Sequence, residues 1–374
     1  MTSKPQFKSE QAQFSRAFAE MSRGVRKIKQ KDYLDKGRYP VVDQGSSLIA
    51  GYSNEKDGLF VDVPAIVFGD HTRCVKYIDT PFFAGADGVK ILKPRLSTNT
   101  RYWYHALRNT QIENLGYSRH YKLLKEKNFC IYSEKHQSDI CRELDSVLAR
   151  LSITEKFSSE LDSLVKSRFV EMFGDPVENP FDWRTKPLSN LGNLKNGINF
   201  KSVDSGTEIR CLSVSDFKDR YQISNMELIS PVSLNNKPNK NQLLHNGDIV
   251  FVRSNGNKRL VGRCLAIFPG DEDVTFSGFC IRFHNESNEL LLDYLLGCLK
   301  SDSMRKAMTG RGANIQNLSQ KILSKVILPI PPLTLQQKFA TFVQHVDKLR
   351  VVAEEQKKKL QTLYDSLAQD YFTI

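Results

Sequence analysis

The chain has 374 residues, of which 40% are hydrophobic and 26% charged, a composition typical of globular proteins that excludes disordered and fibrous classes. This length allows two domains, each with a core of its own. The net charge is +12 at pH 7 and the isoelectric point is about 9.2, which favours a polyanionic partner such as nucleic acid because Lys and Arg neutralise phosphates and release counterions.

The basic excess lies in two of four consecutive regions. Residues 1–134 contain 22 Lys and Arg against 14 Asp and Glu, and residues 175–332 contain 20 against 16. Residues 135–174 and 333–374 are close to neutral. We therefore predict four segments with these boundaries: a basic domain, a spacer, a second basic domain and a second spacer.

The N-terminal segment and the cysteines exclude other classes of protein. Residues 1–26 mix charge with isolated phenylalanines and lack the apolar core of a secretory signal. No stretch approaches the roughly 18 apolar residues of a membrane span, so we expect a cytoplasmic protein without a membrane partner. The seven cysteines are scattered and never spaced C-x2-C, which argues against disulfides and zinc ribbons and predicts buried free thiols.

The two basic segments are predicted to be mixed α/β domains. Short β-branched and aromatic runs alternate with clusters of Gly, Asn and Asp, a pattern typical of strands and turns. In chain order, the predicted strands are residues 61–68, 89–92, 248–252, 261–268 and 279–283. Helices are predicted over residues 100–108 and 290–301.

The two spacers are predicted to be long helices. Apolar side chains recur in both on a 4-3 spacing, and a narrow apolar seam of this kind packs on another helix. The alternative is that each helix only closes its own domain. Gly174 and Pro176 are expected to end the first helix, and Thr334 with Gln337 forms a predicted capping box for the second. The predicted helix–helix or partner interface consists of Ile140, Leu144, Val147, Leu151, Leu161, Val165, Phe339, Val343, Val346, Leu360, Tyr364 and Leu367.

An internal repeat relates the two halves of the chain. Three sets of residues recur in the same order, at offsets that grow from 183 through 190 to 199 residues. This ordered set predicts a tandem duplication with small insertions in the second copy. The matched sets are residues 66–68 with 249–251; Gly88 and Tyr104 with Gly278 and Tyr294; and Leu161, Leu164, Ser167 and Phe173 with Leu360, Leu363, Ser366 and Phe372.

No motif for catalysis, a cofactor or a metal stands out in the sequence. Phosphate-binding loops, nucleophile elbows and zinc-protease motifs are absent, as is the strand, Gly-rich turn and helix of a methyltransferase core. Asp70 and Asp248 follow or begin strands but lack the acidic partners of a nuclease site. The seven histidines are dispersed along the chain. We therefore predict a protein without a catalytic site, cofactor or metal.

Polar loops follow the repeated strands and are the candidate binding sites. Residues 70–73 and 253–259 occupy the same place in the two copies, yet their side chains differ. Residues 118–121 and 311–314 form a second matched pair. Arg, Asn and Lys supply the hydrogen-bonding groups that match base edges in a major groove; the alternative is exposed turns with solvated charges. The candidate DNA-binding residues are His71, Thr72, Arg73, Arg119, Arg253, Ser254, Asn255, Asn257, Lys258, Arg259, Arg311 and Asn314.

Five stretches of the sequence are distinctive: YPVVDQG (39–45), IAGY (49–52), FGDHTR (68–73), MFGDP (172–176) and LPIPPL (328–333). By these stretches the chain resembles, from about residue 27 to 372, the specificity (S) subunits of type I restriction-modification systems. The resemblance implies two target-recognition domains whose spacer helices pack as an antiparallel coiled coil. It implies that they read the two halves of an interrupted site in double-stranded DNA, and that methyltransferase (M) and restriction-translocase (R) subunits join the complex. Residues 1–26 do not match the opening expected of the family.

Three functions remain open on the sequence alone. The leading prediction is a non-catalytic DNA-specificity subunit, which the charge, repeat and loops favour. A methyltransferase or nuclease with an unrecognised active site is the first alternative, and it predicts that the purified chain modifies or cuts DNA. A coiled-coil adaptor with incidental basic charge is the second, and it predicts no DNA binding at physiological salt.

Overall fold

The computed structural model describes residues 10–85, 88–200, 206–217, 220–309 and 317–373. The chain divides into two compact units: Met1–Lys156 with Ala353–Ile374, and Phe157–Val352. Within the described ranges, no helix is both long enough and apolar enough to cross a membrane. All seven cysteines are free and six are buried, Cys74 being half-buried, which confirms the prediction of free thiols.

The first unit contains a four-stranded sheet, a three-stranded sheet and a two-stranded ladder. Their orders are β2-β8-β5-β6, β4-β3-β7 and β1-β9. The elements, in chain order, are β1 (Glu10–Gln13), α1 (Phe14–Ala17), β2 (Phe18–Glu20), β3 (Tyr39–Val42), β4 (Gly51–Ser53), β5 (Ala65–Gly69), β6 (Val75–Ile78), β7 (Phe83–Ala84), β8 (Val89–Pro94), α2 (Thr100–Arg108), α3 (Tyr121–Leu124), β9 (Asn128–Ile131) and α4 (Glu134–Phe173).

The second unit contains a five-stranded sheet, a three-stranded sheet and a two-stranded ladder. Their orders are β11-β18-β15-β16-β13, β14-β12-β17 and β10-β19. The elements, in chain order, are β10 (Thr185–Pro187), β11 (Gly192–Asn196), β12 (Thr207–Leu212), β13 (Gln222–Ile223), β14 (Pro231–Leu234), β15 (Asp248–Val252), β16 (Cys264–Ile267), β17 (Val274–Phe276), β18 (Cys280–Asn285), α5 (Leu292–Lys300), α6 (Asp302–Thr309), α7 (Gln320–Ser324), β19 (Ile327–Pro329) and α8 (Leu333–Phe372).

The repeated strands occupy equivalent places in the two units. β5 pairs antiparallel with β6 and β8, and β15 pairs antiparallel with β16 and β18. Every residue of both strands is buried, which explains why they read as continuous apolar runs rather than as an alternating pattern. In register, Ile66 faces Leu92 and Ile249 faces Phe283. The repeat in sequence is therefore a repeat in sheet topology.

One pairing within the predicted repeat is wrong by two residues. The tyrosine equivalent to Tyr294 is Tyr102 and not Tyr104. The Tyr102 hydroxyl donates to the carbonyl of Cys130 at 2.7 Å, and the Tyr294 hydroxyl donates to the carbonyl of Pro329 at 2.9 Å. The first bond joins α2 to β9, and the second joins α5 to β19; each of these strands directly precedes a long helix. Tyr102 and Tyr294 are therefore equivalent.

Two predicted strands are shorter than expected because of the backbone. Residues 61–68 contribute a strand only from Ala65, since Pro64 has no N–H to give to a ladder. Residues 261–268 contribute a strand only from Cys264, because Gly262 has φ of +79°, a left-handed conformation that extended strands exclude. The two predicted short helices lie at α2 and α5.

The long helices begin and end at identifiable signals. α4 stops at Phe173 because Gly174 adopts φ of +76° and its N–H bonds back to Val170. The predicted capping box at Thr334 is wrong, since α8 begins at Leu333 directly after the prolines. Buried Gln336 instead donates from Nε2 to the carbonyl of Pro331 at 2.8 Å. Gln137 does the same in α4, to the carbonyl of Tyr132 at 2.8 Å.

The predicted seam residues lie inside the cores of the two units. In the first unit, Ile140, Leu144, Val147, Leu151 and Tyr364 are buried with aromatic residues of the α/β domain, and Leu360 and Leu367 pack against them. In the second, Leu161, Val165, Phe339, Val343 and Val346 are buried in the same way. The helices thus close their domains as well as contacting each other.

The helices run antiparallel within each unit. In the first unit, Tyr371 bonds to Glu143 at 2.6 Å and Lys357 pairs with Glu155 at 2.9 Å. In the second, Arg350 pairs with Asp162 at 2.6 Å, and the ring of Phe339 packs on those of Phe169 and Phe173. The predicted fold class is confirmed: two mixed α/β domains in tandem, each followed by a long helix that packs antiparallel with the other.

Candidate nucleic-acid interface

The first candidate surface joins two loops that are far apart in sequence. The loop after β5 carries Asp70, which is buried and accepts a bond from the Tyr121 N–H at 2.8 Å through its carboxylate. The Asp70 carbonyl accepts bonds from His120, from N–H at 2.8 Å and from Nδ1 at 3.0 Å. The polar segments 70–73 and 118–121 are therefore brought together.

Gln44 fixes the loop of residues 70–73 through two hydrogen bonds. Its Oε1 accepts the N–H of His71 at 3.1 Å, and its carbonyl accepts the hydroxyl of Thr72. A Cβ at Gly88 would lie 2.5 Å from Gln44 Oε1, and φ there is +89°, so this glycine is required for the close approach. Sequence reasoning missed Gln44 as a site residue, although it lies in the YPVVDQG stretch.

The four predicted residues of this surface differ in how free their side chains are. Thr72 and Arg119 are exposed, whereas His71 and Arg73 are half-buried. Arg73 has φ of +61° and donates from Nη1 to the carbonyl of Ile112 at 2.9 Å. It therefore holds the neighbouring loop in place. The Thr72 hydroxyl is engaged as well, with the Gln44 carbonyl and the Cys74 N–H, which leaves Arg119 and the edge of His71 as the groups offered to a ligand.

The second candidate surface surrounds a cavity of about 610 Å³. Ser254 and Asn255, both predicted, line it beside Phe279, whose side chain is 61% exposed. Arg253 lies at the base of the loop, where its Nη1 is 3.4 Å from the carbonyl of Gly278 and its own carbonyl accepts the N–H of Leu318 at 2.7 Å. The cavity is lined by hydroxyl, amide and aromatic groups, a mixture that suits the edge and face of a nucleobase.

The remaining predicted residues of this surface lie beside the cavity. Asn257 and Arg259 are exposed, and the Asn257 carboxamide accepts the N–H of Arg259 at 3.1 Å. The backbone of Lys258 lies in the 3-10 turn Lys258–Leu260, but its side chain is outside the described part. Arg311 and Asn314 also lie outside the described residues.

Two histidines that are far apart in sequence meet at one carboxylate. His284 Nδ1 lies 2.6 Å and His245 Nδ1 3.6 Å from the buried Asp248 carboxylate, so dispersal along the chain was a wrong ground for excluding a histidine cluster. The carboxylate also accepts the N–H of His245 at 2.8 Å, and Arg282 Nε lies 3.8 Å away. The guanidinium of Arg282 supplies the positive charge that a buried carboxylate requires. We therefore interpret Asp248 and its two histidines as a hydrogen-bonded cluster that stabilises the turn before β15.

A second buried polar group fastens α2 to the long helices in the first unit. His105 is fully buried, with Nε2 at 2.9 Å from Asp145 and Nδ1 at 3.3 Å from the Tyr364 hydroxyl. Burial lowers the pKa of His105. Burial opposes ionisation of Asp145, but hydrogen bonds from His105 and Arg101 outweigh it and bring the pKa of Asp145 to about 2.

These pKa shifts predict that the first unit loses stability in acid. His105 has a folded pKa below its ordinary 6.5, so the unfolded chain takes up its proton first and stability falls as the pH drops below about 6.5. Asp145 adds a further loss below its ordinary 3.8. We expect His105→Gln to flatten the first part of this dependence. Melting temperatures of both proteins from pH 7.5 to 5 test this, and parallel curves would contradict it.

The fold and the two loop surfaces define a two-domain recognition protein. Residues 180–362 match the family described as the type I restriction modification DNA specificity domain. The chain is 24% identical over 352 residues to the EcoR124I/EcoR124II specificity subunit of Escherichia coli, covering 86% of this chain and 82% of that protein. It is 25% identical over 265 residues to the StySPI specificity subunit of Salmonella potsdam, covering 65% and 55%.

Two solved structures share the fold. The S subunit of a type I restriction-modification system from M. genitalium matches with a TM-score of 0.53 at 16% identity, over 100% of this chain and 98% of that chain. A chain from a structural study of complex assembly and conformational transition of the type I system matches with a TM-score of 0.52 at 12% identity, over 99% of each. Residues 180–362 thus carry the DNA specificity domain of type I restriction-modification systems, and most of the chain is similar to specificity subunits of these systems, which confirms the resemblance found in its sequence.

Proposed function

We propose that the chain reads a bipartite site in double-stranded DNA and carries no catalytic site of its own. Residues 1–134 and 175–332 are the two target-recognition domains, and residues 135–174 and 333–374 are the spacers. The observation that carries the proposal is the pair of loop surfaces. They follow equivalent strands, β5 and β15, but offer different side chains. One scaffold with two sets of polar groups suits two different half-sites.

We further propose that methyltransferase subunits dock on the exposed sides of the long helices and that a restriction-translocase subunit joins that complex. The buried seam residues are committed to the chain's own core, so docking requires other side chains. Both helices expose large apolar residues that have no use in a free subunit. They are Ile153, Phe157, Leu164 and Val170 on α4, and Leu333, Leu349, Val351, Val352 and Leu363 on α8.

The test is to map methylated positions in a host genome with and without this chain. We expect one bipartite motif to lose its methylation when the chain is absent and to regain it on complementation. The purified chain alone, given S-adenosylmethionine or magnesium, is expected to neither methylate nor cut DNA. Turnover by a preparation free of partner subunits would support the alternative of an enzyme, which the relatives do not support. An unchanged methylation map would contradict the proposal.

Loop substitutions should affect one half-site at a time. We expect Asn255→Ala to weaken binding by about 1–3 kcal/mol and to relax specificity at one base pair, and Arg253 and Arg259 to act on the same half-site. His71 and Arg119 should govern the other half-site, and Arg73 should act on it through the loop that its guanidinium holds. Binding to a panel of singly substituted duplexes measures this, with His71→Ala as the matched control for Asn255→Ala. If both variants relaxed the same half-site, the assignment of one domain to each half would be wrong.

A further inference from the structure

The aromatic ring of Tyr117 is exposed to solvent at the first candidate surface. Tyr117 is 89% exposed, more than any other large apolar or aromatic side chain among the described residues. One face of its ring is stacked on His71, with 4.8 Å between ring centres and 11° between planes. The other face is open. His71 and Tyr117, from two different loops, thus form a stacked pair in which one face of the tyrosine ring is free.

The backbone around this ring is held by specific bonds. Arg73 donates to the Ile112 carbonyl at 2.9 Å, and the Leu115 N–H donates to Nε2 of His120 at 3.1 Å. Since Nε2 accepts, the neutral ring of His120 carries its proton on Nδ1, which donates to the Asp70 carbonyl at 3.0 Å. His120 is fully buried. The segment that carries Tyr117 is therefore anchored on both sides, and its ring is positioned by the stacking on His71.

A positioned ring with one free face is suited to stacking on a nucleobase. Aromatic side chains stack on bases in a way that tolerates sequence, and apolar wedges between base steps unstack them partly. Arg119 lies two residues away, exposed, and supplies the positive charge that a neighbouring phosphate requires. His71 covers the rear face, so it stiffens the ring against the contact.

We propose that Tyr117 is a base-stacking residue of the first domain, which inserts its free face at a base step of the half-site and is supported from behind by His71. This inference rests on the proposed DNA-reading function. It adds a contact through the aromatic ring to the hydrogen bonds expected from Arg119 and the edge of His71. The matched control is Val61, a residue of the first unit whose side chain is 66% exposed and which lies outside both candidate surfaces.

The experiment uses the full chain in complex with its methyltransferase partner and a duplex carrying 2-aminopurine. The fluorescent base is placed in turn at each position of the half-site except the methylated base, which a methyltransferase itself extrudes. With the wild-type chain, we expect fluorescence to rise at one position on binding. Tyr117→Ala should abolish this rise and weaken binding about 5- to 100-fold, whereas Tyr117→Phe should retain both because the ring makes the contact.

Two further variants separate this role from a general loss of structure. His71→Ala should reduce the fluorescence rise. Added to Tyr117→Ala, it should weaken binding less than it does in the wild-type chain, since its support of the ring is already without effect and only the contact of its edge is lost. Val61→Ala should leave the signal at that position unchanged. A wild-type complex that binds its site without any fluorescence rise, or a Tyr117→Ala complex of wild-type affinity, would overturn this inference alone. A wild-type complex without specific binding would overturn the proposed function instead.

Discussion

Replacing Leu144 by Asp is expected to unfold the first unit. Leu144 is completely buried among aromatic residues of the domain and side chains of both long helices. Truncating a buried leucine costs about 2–5 kcal/mol through lost apolar contact and the cavity left behind. A carboxylate at the same place also loses its hydration, or takes up a proton to avoid the charge. We expect a total loss of at least about 4 kcal/mol, a large part of the stability of an ordinary domain.

The measurement is denaturant unfolding followed by tryptophan fluorescence. The chain has two tryptophans, of which Trp103 is fully buried in the same core as Leu144, whereas Trp183 belongs to the second unit. A Trp183→Phe background therefore reports on the first unit alone. Leu144→Asp should shift its midpoint strongly or leave no folded baseline. An unchanged midpoint would show that Leu144 is not a core residue.

The matched control is Ile153→Asp on the same helix. Ile153 is 67% exposed, so its replacement should change stability by no more than about 0.5 kcal/mol. The two variants separate two roles that the sequence left open for the apolar residues of the helices: packing in the core of their own domain and binding a partner. Loss of partner binding in Leu144→Asp follows from unfolding, whereas loss of partner binding in a stable Ile153→Asp identifies a docking surface.

The parts of the fold that sequence predicts are those set by local patterns. Strand β15 and helix α2 lie where the apolar runs and turn residues place them, and α4 stops at Gly174 as expected of a glycine after a helix. Errors occur where a tertiary contact decides. The sequence matched Tyr104 to Tyr294, whereas the equivalent bonds from Tyr102 to Cys130 and from Tyr294 to Pro329 identify Tyr102 as the repeat.

The positions of the candidate surfaces were predictable from the sequence, but the contacts that build them were not. The strand repeat places residues 70–73 and 253–259 at equivalent positions, yet nothing local indicates that Arg73 donates to Ile112 or that Gln44 holds His71. The same holds for the two histidines at Asp248, which are 39 residues apart in the chain, His245 and His284. Contacts of this kind depend on which strands are neighbours, and a single sequence does not specify that order. For Tyr117, the only signal in the sequence was its place directly after Gly116 in a polar loop.

The second prediction concerns the long helices as spacers between the half-sites. The boundary between the two units falls within both α4 and α8, so each helix is one continuous element that belongs to both units. If helix length sets the gap between half-sites, an insertion at this boundary should change the gap. Four residues inserted near Thr154–Ser158 lengthen α4 by about 6 Å. Base pairs rise about 3.4 Å each, so the preferred gap should grow by one or two base pairs.

The ion pairs define where a compensating insertion belongs. Glu155 pairs with Lys357 in the first unit, and Asp162 pairs with Arg350 in the second. Four residues added within 156–161 alone leave α8 too short to keep both pairs. They also turn the seam by roughly 40° beyond a full revolution. A matching insertion within 351–356 restores the equal spacing of the two helices.

We therefore expect the two insertions to behave differently from either one alone. The single insertion in α4 should lower stability and methylation, and the double insertion should recover both while moving methylation to sites with the longer gap. The bases of each half-site should stay the same, because neither reading loop has changed. Single-molecule sequencing of methylated positions in cells carrying each variant measures gap and half-sites together. Full methylation at the original gap by the double insertion would show that the helices do not set the spacing, since only their length is altered. A changed half-site would show that the helices do more than set the spacing.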